Sequence, residues 1–314
     1  MKSPESVQHN EEPGIQAFLS WLHDDRRPAY NADSSQAQRY FVPLSHLKSY
    51  LGSGGRIRRL LEALFRDDDA TELPSANIIL ENYIRCFSIL VTIGYGQYIR
   101  HFMRYESLED TKLPFLSLPP HFPDSSTAGF FEAFKQRQWD FCAPVLRYGV
   151  HHVLDGEVVL PIVKKEKIAV GGSAVIYKVI LDEEYDKLEP LASTRNASAV
   201  RSNVYVLKAY RTRNAERYYE AEKRAFLKLR NGTELPPNIL DYYSSFIHGT
   251  QYFALLEYMD GGTLEQFMAG NPPPSSLTTI LSFWDGIFGL LRGLTCLHGT
   301  RVDLGSGEAQ GLLG

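Results

Sequence analysis

The chain has 314 residues, 44% of them hydrophobic and 22% charged, a composition that predicts a globular protein with more than one domain. The formal net charge of −4 gives no electrostatic case for nucleic acid or an anionic membrane as a partner. The cysteines Cys86, Cys142 and Cys296 are too few and too widely spaced for a disulfide framework or a zinc site, so we expect reduced thiols. The start is polar, and no apolar run approaches the ~18 residues of a membrane span. We therefore expect an intracellular protein, cytoplasmic or nuclear.

Apolar residues at helical spacing predict a helical domain in the first 150 residues. The apolar faces are Ile15, Phe18, Leu19 and Leu22; Ile57, Leu60, Leu61 and Leu64; and Phe130, Phe131 and Phe134. The stretch from Ile78 to Tyr98 predicts a buried helix that Gly94 or Gly96 could bend. The aromatic residues could line a groove for a partner, but core packing is the more common use of such spacing.

Proline and glycine punctuate residues 143–157, and a β-rich pattern begins at Val158, so we place a domain boundary between 150 and 151. His151 and His152 lack a third metal ligand nearby and are interpreted as a surface pair before a strand. The stretch from Asp182 to Asn203 is polar and predicts a solvated excursion between two strands.

Residues 167–180 predict a strand, a small-residue turn and a second strand. Gly171 and Gly172 would let the backbone approach a ligand that a Cβ atom would exclude, and consecutive N–H groups in such a turn can face phosphate oxygens. A glycine-containing hairpin alone is weak evidence for phosphate binding.

Lys208 ends the apolar strand that begins at Val204, a position that calls for an anionic partner. Downstream, Asn214 can cap a helix with an inward stripe of Tyr218, Glu222, Ala225, Phe226 and Leu229. An unpaired carboxylate on such a stripe is strongly disfavoured, so Glu222 is expected to pair with Lys208. The alternative is a helix rotated so that Glu222 is solvated.

Residues 252–264 predict a strand, a Gly-Gly turn and a short helix, and a long apolar helix follows from Leu277 to Leu297. In this order, the elements from 167 to 297 resemble the N-terminal lobe of a eukaryotic-type protein kinase and the start of its C-terminal lobe. The resemblance implies an α+β fold, with an antiparallel sheet plus helix C in residues 151–314. The helical domain, residues 1–150, is similar to the helical extensions that precede the kinase domain in some fungal kinase-like proteins.

The resemblance also assigns roles to individual residues. It implies that Lys208 contacts the α- and β-phosphates of ATP and that Glu222 orients it. Gly171 matches the second glycine of the phosphate loop, while Ala169 and Ala174 replace the first and third. The implied nucleotide site consists of Ala169, Gly171, Gly172, Ser173, Ala174, Ile176, Val206, Lys208, the gatekeeper Leu256, and the hinge residues Glu257 and Met259.

The sequence contains no His-Arg-Asp segment and no Asp-Phe-Gly segment, so the family's catalytic base and Mg²⁺ ligands are missing. We therefore expect a fragment of an ATP-dependent, serine/threonine-directed protein kinase, inactive by itself and without a metal site. ATP, Mg²⁺ and a protein substrate would be bound by the full-length parent. Two alternatives remain open: a pseudokinase or interaction scaffold, and a naturally short protein whose last helix is covered by the N-terminal region or a partner.

Overall fold

The computed structural model describes residues 13–30, 39–66, 72–123, 129–189, 203–230 and 238–299. The fold is mixed α+β, as predicted. It divides into a first unit (1–145, 155–164 and 181–186) and a second unit (146–154, 165–180 and 187–314). Residues 300–314 and most of the predicted excursion, residues 190–202, lie outside the described residues.

The first unit is mainly helical. Its regular helices and strands are α1 (Pro13–Asp25), β1 (Arg27–Ala29), β2 (Arg39–Phe41), α2 (Leu44–Gly52), α3 (Arg56–Leu64), α4 (Ala76–Ile78), α5 (Ile84–Thr92), α6 (Ile99–Phe102) and α7 (Phe130–Arg137). A π-helical turn covers Ile79–Tyr83, and 3₁₀ turns cover Gly96–Tyr98, Glu106–Leu108, Asp110–Lys112 and Gln138–Phe141. Strands β1 and β2 pair antiparallel.

The predicted apolar faces of this unit pack into one core. Its buried members include Phe18, Leu22, Ile57, Leu60, Leu61, Phe130 and Phe134, while Ile15, Leu19, Leu64 and Phe131 pack against them. The core interpretation of the aromatic residues is therefore confirmed. The prediction of one helix from Ile78 to Tyr98 is wrong, because the helix ends at Thr92 and Gly94 takes φ +79°. Only glycine adopts that left-handed conformation without strain, so Gly94 terminates the helix instead of bending it.

The later elements form the sheet and the last helices. They are β3 (Leu146–Arg147), β4 (His151–Leu154), β5 (Ile162–Val170), β6 (Ala174–Leu181), β7 (Asp186–Lys187), β8 (Val204–Tyr210), α8 (Ala215–Arg230), β9 (Tyr242–His248), β10 (Gln251–Glu257), α9 (Leu264–Gly270) and α10 (Leu277–Gly299). Six strands make one sheet in the order β4-β9-β10-β8-β6-β5, and β3 pairs with β7. Strand β8 pairs antiparallel with β6 and β10, and β4 pairs parallel with β9.

Two sequence interpretations of this region are wrong. His151 and His152 lie within β4, not before a strand, because their backbone pairs with Ser245 and Phe246 of β9. The start of the predicted excursion is buried, since Tyr185 and Leu188 are 6% and 0% exposed. Within the first unit, the Tyr185 ring meets the edge of the Phe41 ring at a centroid distance of 5.5 Å, and its hydroxyl oxygen accepts a hydrogen bond from the Leu44 N–H. Aromatic burial outweighs the polar composition of this stretch.

The predicted long apolar helix is present as α10, but its apolar residues are largely exposed. These are Leu277, Leu281, Trp284, Phe288, Leu290, Leu291, Leu294 and Leu297. By length and composition the segment Leu277–His298 could cross a membrane. The expectation that no segment approaches a membrane span is therefore wrong. One such helix is weak evidence for a membrane protein, because core helices of soluble proteins pass the same test.

Candidate functional site

Strand β8 places Lys208 on one face of the six-stranded sheet. Side chains alternate between the faces of a strand, so Val206, Lys208 and Tyr210 share that face. In the flanking strands, Ile176 of β6 and Ala254 of β10 lie opposite Lys208. The same registers place Leu256 beside Val206. Ile176 thus lies in the row of Lys208, and Val206 and Leu256 lie in the next row of the sheet.

Helix α8 packs on this face and carries Glu222 to Lys208. The Lys208 Nζ lies 2.8 Å from Glu222 Oε1 and 2.6 Å from Oε2, with both side chains largely buried. The alternative prediction, a helix rotated so that Glu222 is solvated, is therefore wrong. The helix face differs in detail from the predicted stripe, because Tyr219 is fully buried whereas Tyr218 is only partly buried.

Tyr210 is a third member of this ion pair that the sequence interpretation missed. Its hydroxyl donates to Glu222 Oε2 at 2.8 Å, and its ring lies 5.3 Å from the Lys208 Nζ. Burial raises the pKa of Tyr210 well above its ordinary value, and the negative charge of Glu222 and the hydrogen bond to it raise it further. The hydroxyl therefore stays protonated and acts as a fixed donor. The available signal was its position two residues after Lys208, on the same strand face.

The glycine turn joins β5 to β6, and its backbone is accessible. The Gly171 N–H donates to the Ala174 carbonyl at 2.8 Å, while Gly171 and Gly172 are exposed. A Cβ atom on Gly172 would meet nothing within 4 Å, and neither glycine has a positive φ. Backbone conformation and packing therefore do not require glycine here. Glycine would be required at these positions only if an external group had to approach the backbone of the turn closely.

The remaining residues of the predicted loop differ in exposure. Ala169 is exposed, Ser173 is partly buried and Ala174 is 3% exposed. Ala174 packs with Tyr210 and Tyr219 under α8. The Ala174 methyl group is thus used in the core, and it limits the freedom of the turn.

The predicted hinge leaves the sheet at the end of β10. Leu256 is buried, and Glu257 is fixed by Asp241, whose carbonyl accepts from the Glu257 N–H at 2.8 Å and whose N–H donates to Glu257 Oε2 at 3.1 Å. Met259 is 58% exposed, and its main chain has no hydrogen bond within the described part of the chain. Its N–H and carbonyl are thus accessible to a planar polar ligand.

Lys178 is a second lysine near the hinge that the sequence interpretation did not include. Its Nζ donates to the Tyr258 hydroxyl at 3.1 Å and lies 4.2 Å from the centre of the Tyr258 ring. Its backbone pairs with Val206, so it lies one row away from Lys208 along the sheet. This contact ties β6 to the segment that follows β10.

Metal ligands are not gathered at this site. Within the described ranges, no group of three or more His, Cys, Asp or Glu side chains could hold a metal ion. The carboxylate nearest the Lys208 amine, that of Glu222, already accepts hydrogen bonds from Lys208 and Tyr210. The residues present therefore do not fit Mg²⁺. Lys208 supplies a cation and the glycine turn supplies exposed backbone, two features that can bind a phosphorylated ligand.

No family model and no curated protein matches the sequence.

Proposed function

We propose that the Lys208–Glu222 pair and the surrounding sheet form the nucleotide-binding half of an ATP-dependent protein kinase domain. The observation that carries the proposal is the ion pair itself, which joins the middle of a sheet to the helix packed on it. A largely buried pair between a strand and a helix is a costly arrangement for stability alone. The ion pair has a further use if the Lys208 side chain must be held in one orientation to contact a phosphate.

The strand order supports the same function. From its free edge the sheet runs β5-β6-β8-β10-β9, so the glycine turn, Lys208 and the end of β10 follow one another across one surface. In the proposed role, exposed N–H groups of the turn and the Lys208 amine bind phosphates, and Ile176, Val206 and Leu256 pack against the base. The Met259 main chain would hydrogen-bond the edge of the adenine.

The proposed transfer of the ATP γ-phosphate to serine or threonine hydroxyls requires groups that this chain lacks. Mg²⁺, where a complete kinase domain binds it, neutralises the developing charge on the phosphates, and a separate aspartate accepts the hydroxyl proton. We therefore expect no transfer from radiolabelled ATP to a generic protein substrate above background. Transfer that disappears in Lys208→Ala would contradict this expectation.

Nucleotide binding tests the proposal directly. We expect the full chain to bind a fluorescent ATP analogue weakly, and Lys208→Ala to weaken binding about 10-fold to 100-fold, as for the loss of one charge-assisted hydrogen bond to phosphate. The matched control is Lys187→Ala, since Lys187 is an exposed lysine of β7 in the same unit. Equal affinities of wild type, Lys208→Ala and Lys187→Ala would show that Lys208 does not contact the nucleotide.

Two observations favour a second candidate, a scaffold without nucleotide binding. Ala174 is buried where the family has a flexible glycine, and Val206 adds bulk where the base would pack. Both features reduce the room for a nucleotide. The scaffold is the better interpretation if the wild-type chain fails to bind ATP while its sheet and α8 remain folded.

A further inference from the structure

Strand β4 brings a histidine to the helix that carries Glu222. The His151 Nδ1 lies 2.8 Å from the Tyr219 hydroxyl of α8 and 3.1 Å from the Ser245 Oγ of β9. The Tyr219 hydroxyl also donates to Ser245 Oγ at 3.0 Å. Three side chains from three separate elements thus form a closed triangle of hydrogen-bonding groups, which we call the His151 triangle.

The triangle fixes α8 at the turn that precedes Glu222. Tyr219 is 1% exposed and lies three residues before Glu222, so the two side chains point to the same side of the helix. The parallel pairing of β4 with β9 holds His151 opposite Ser245. A rotation or outward shift of α8 that separated Glu222 from Lys208 would also pull the Tyr219 hydroxyl out of the triangle.

We infer that His151 is a positioning residue: through Tyr219 and Ser245 it holds α8 where Glu222 reaches Lys208, and it releases the helix when it is protonated. The expected effect on nucleotide binding rests on the proposed function, whereas the expected effect on the position of α8 does not.

The number of hydrogen-bond donors and acceptors in the His151 triangle explains why protonation of His151 releases α8. With its proton on Nε2, His151 offers Nδ1 as an acceptor, and the hydrogens of both hydroxyls can find acceptors within the triangle. A proton on Nδ1 removes that acceptor and adds a hydrogen, so one hydrogen is left without an acceptor there. His151 is exposed, but Tyr219 and Ser245 are each 1% exposed, so the hydrogen left without an acceptor is on a buried hydroxyl, which is unfavourable.

The charges around His151 act on its pKa in opposite directions, and the lowering effects are the larger. Lys223 of α8 lies over the Tyr219 ring and pairs with Glu220 at 2.6 Å, while His152 is the neighbour of His151 on β4. Burial lowers the pKa of His151 below 6.5 and the Lys223 charge lowers it further, whereas the Glu220 charge and a hydrogen bond with the Ser245 backbone raise it by less. Because the folded pKa is lowered, the stabilisation from the triangle is complete above pH 6.5 and is lost as the pH falls through the lowered value.

Hydrogen exchange of the α8 amides tests this inference on the full chain, with rates expressed as protection relative to an unstructured peptide at about pH 8 and about pH 5.5. In wild type we expect protection of α8 to fall about fivefold to tenfold at the lower pH. His151→Asn keeps an acceptor near the Nδ1 position but cannot be protonated, so α8 should stay protected at both pH values. His151→Leu has no acceptor, so α8 should be less protected at both.

The inference is overturned if His151→Leu protects α8 as well as wild type at about pH 8, or if His151→Asn keeps the wild-type pH dependence. It is also overturned if protection is lost equally in β10, because the expected opening is confined to α8. Tyr219→Phe should behave as His151→Leu does, and Tyr218→Phe, on the neighbouring residue, should behave as wild type. ATP affinity is measured in parallel: if wild type binds no ATP, the proposed function fails while the exchange data still decide the role of His151.

Discussion

Replacing Phe134 with alanine is expected to destabilise the first unit by about 3–5 kcal/mol. Phe134 is fully buried in the core, and its ring centroid lies 5.7 Å from that of Phe102 and 5.6 Å from those of Phe115 and Phe122. Neighbouring aromatic rings cannot collapse into the space left by a missing ring, so the cavity cost adds to the lost transfer free energy. This is a large part of the stability of a typical domain.

Denaturant unfolding monitored by tryptophan fluorescence measures this loss. Trp21 and Trp139 lie in the first unit and Trp284 in the second, so a Trp284→Phe background reports on the first unit alone. Phe131→Ala is the matched control, because Phe131 lies on the same helix but is only partly buried and should cost about 1 kcal/mol. Similar losses for the two variants would show that α7 is not packed as described.

Replacing Asp110 with alanine is expected to destabilise the same unit by about 2–3 kcal/mol. The Asp110 carboxylate accepts hydrogen bonds from the Arg85 and Cys86 N–H groups, each at 2.8 Å. These N–H groups lie in the first turn of α5, where the N–H groups of a helix need partners from outside it. Burial raises the pKa of Asp110, which means that part of the hydrogen-bond energy already offsets the cost of burying the charge. The expected loss is therefore smaller than two full charge-assisted hydrogen bonds.

The comparison for Asp110 is Asp140→Ala, measured in the same background. The Asp140 carboxylate pairs with Arg137 at 2.8 Å, but both side chains are about a third exposed or more, so we expect a loss of less than about 1 kcal/mol. A loss for Asp110→Ala no greater than that for Asp140→Ala would contradict the role assigned to the buried carboxylate.

The features that the sequence predicted well are those set by local periodicity. The apolar faces containing Phe18, Leu60 and Phe134 follow from spacings of three and four residues, and each of these side chains is buried. The contact between Lys208 and Glu222 could be anticipated because a carboxylate on an apolar helix stripe needs a cation. No long-range information was needed to state that requirement.

Contacts between distant segments were not predictable in the same way. The helix before Gly94 is interrupted near Tyr83, where Asp110, well over twenty residues along the chain, bonds the first N–H groups of α5. Tyr210 becomes a partner of Glu222 only through the register of β8 and the angle of α8. His151 is exposed, as predicted, but its place within β4 was missed because its parallel partner, β9, begins some ninety residues later. Nothing in the local sequence of β4 specifies that pairing.

The division of the chain into units limits how the protein could have arisen. A protein formed by joining two genes end to end passes from one domain to the other once, but here the chain crosses at 145/146, 154/155, 164/165, 180/181 and 186/187. No single recombination break could exchange either unit intact, and a cleavage at residue 150 would leave pieces of the first unit on both products.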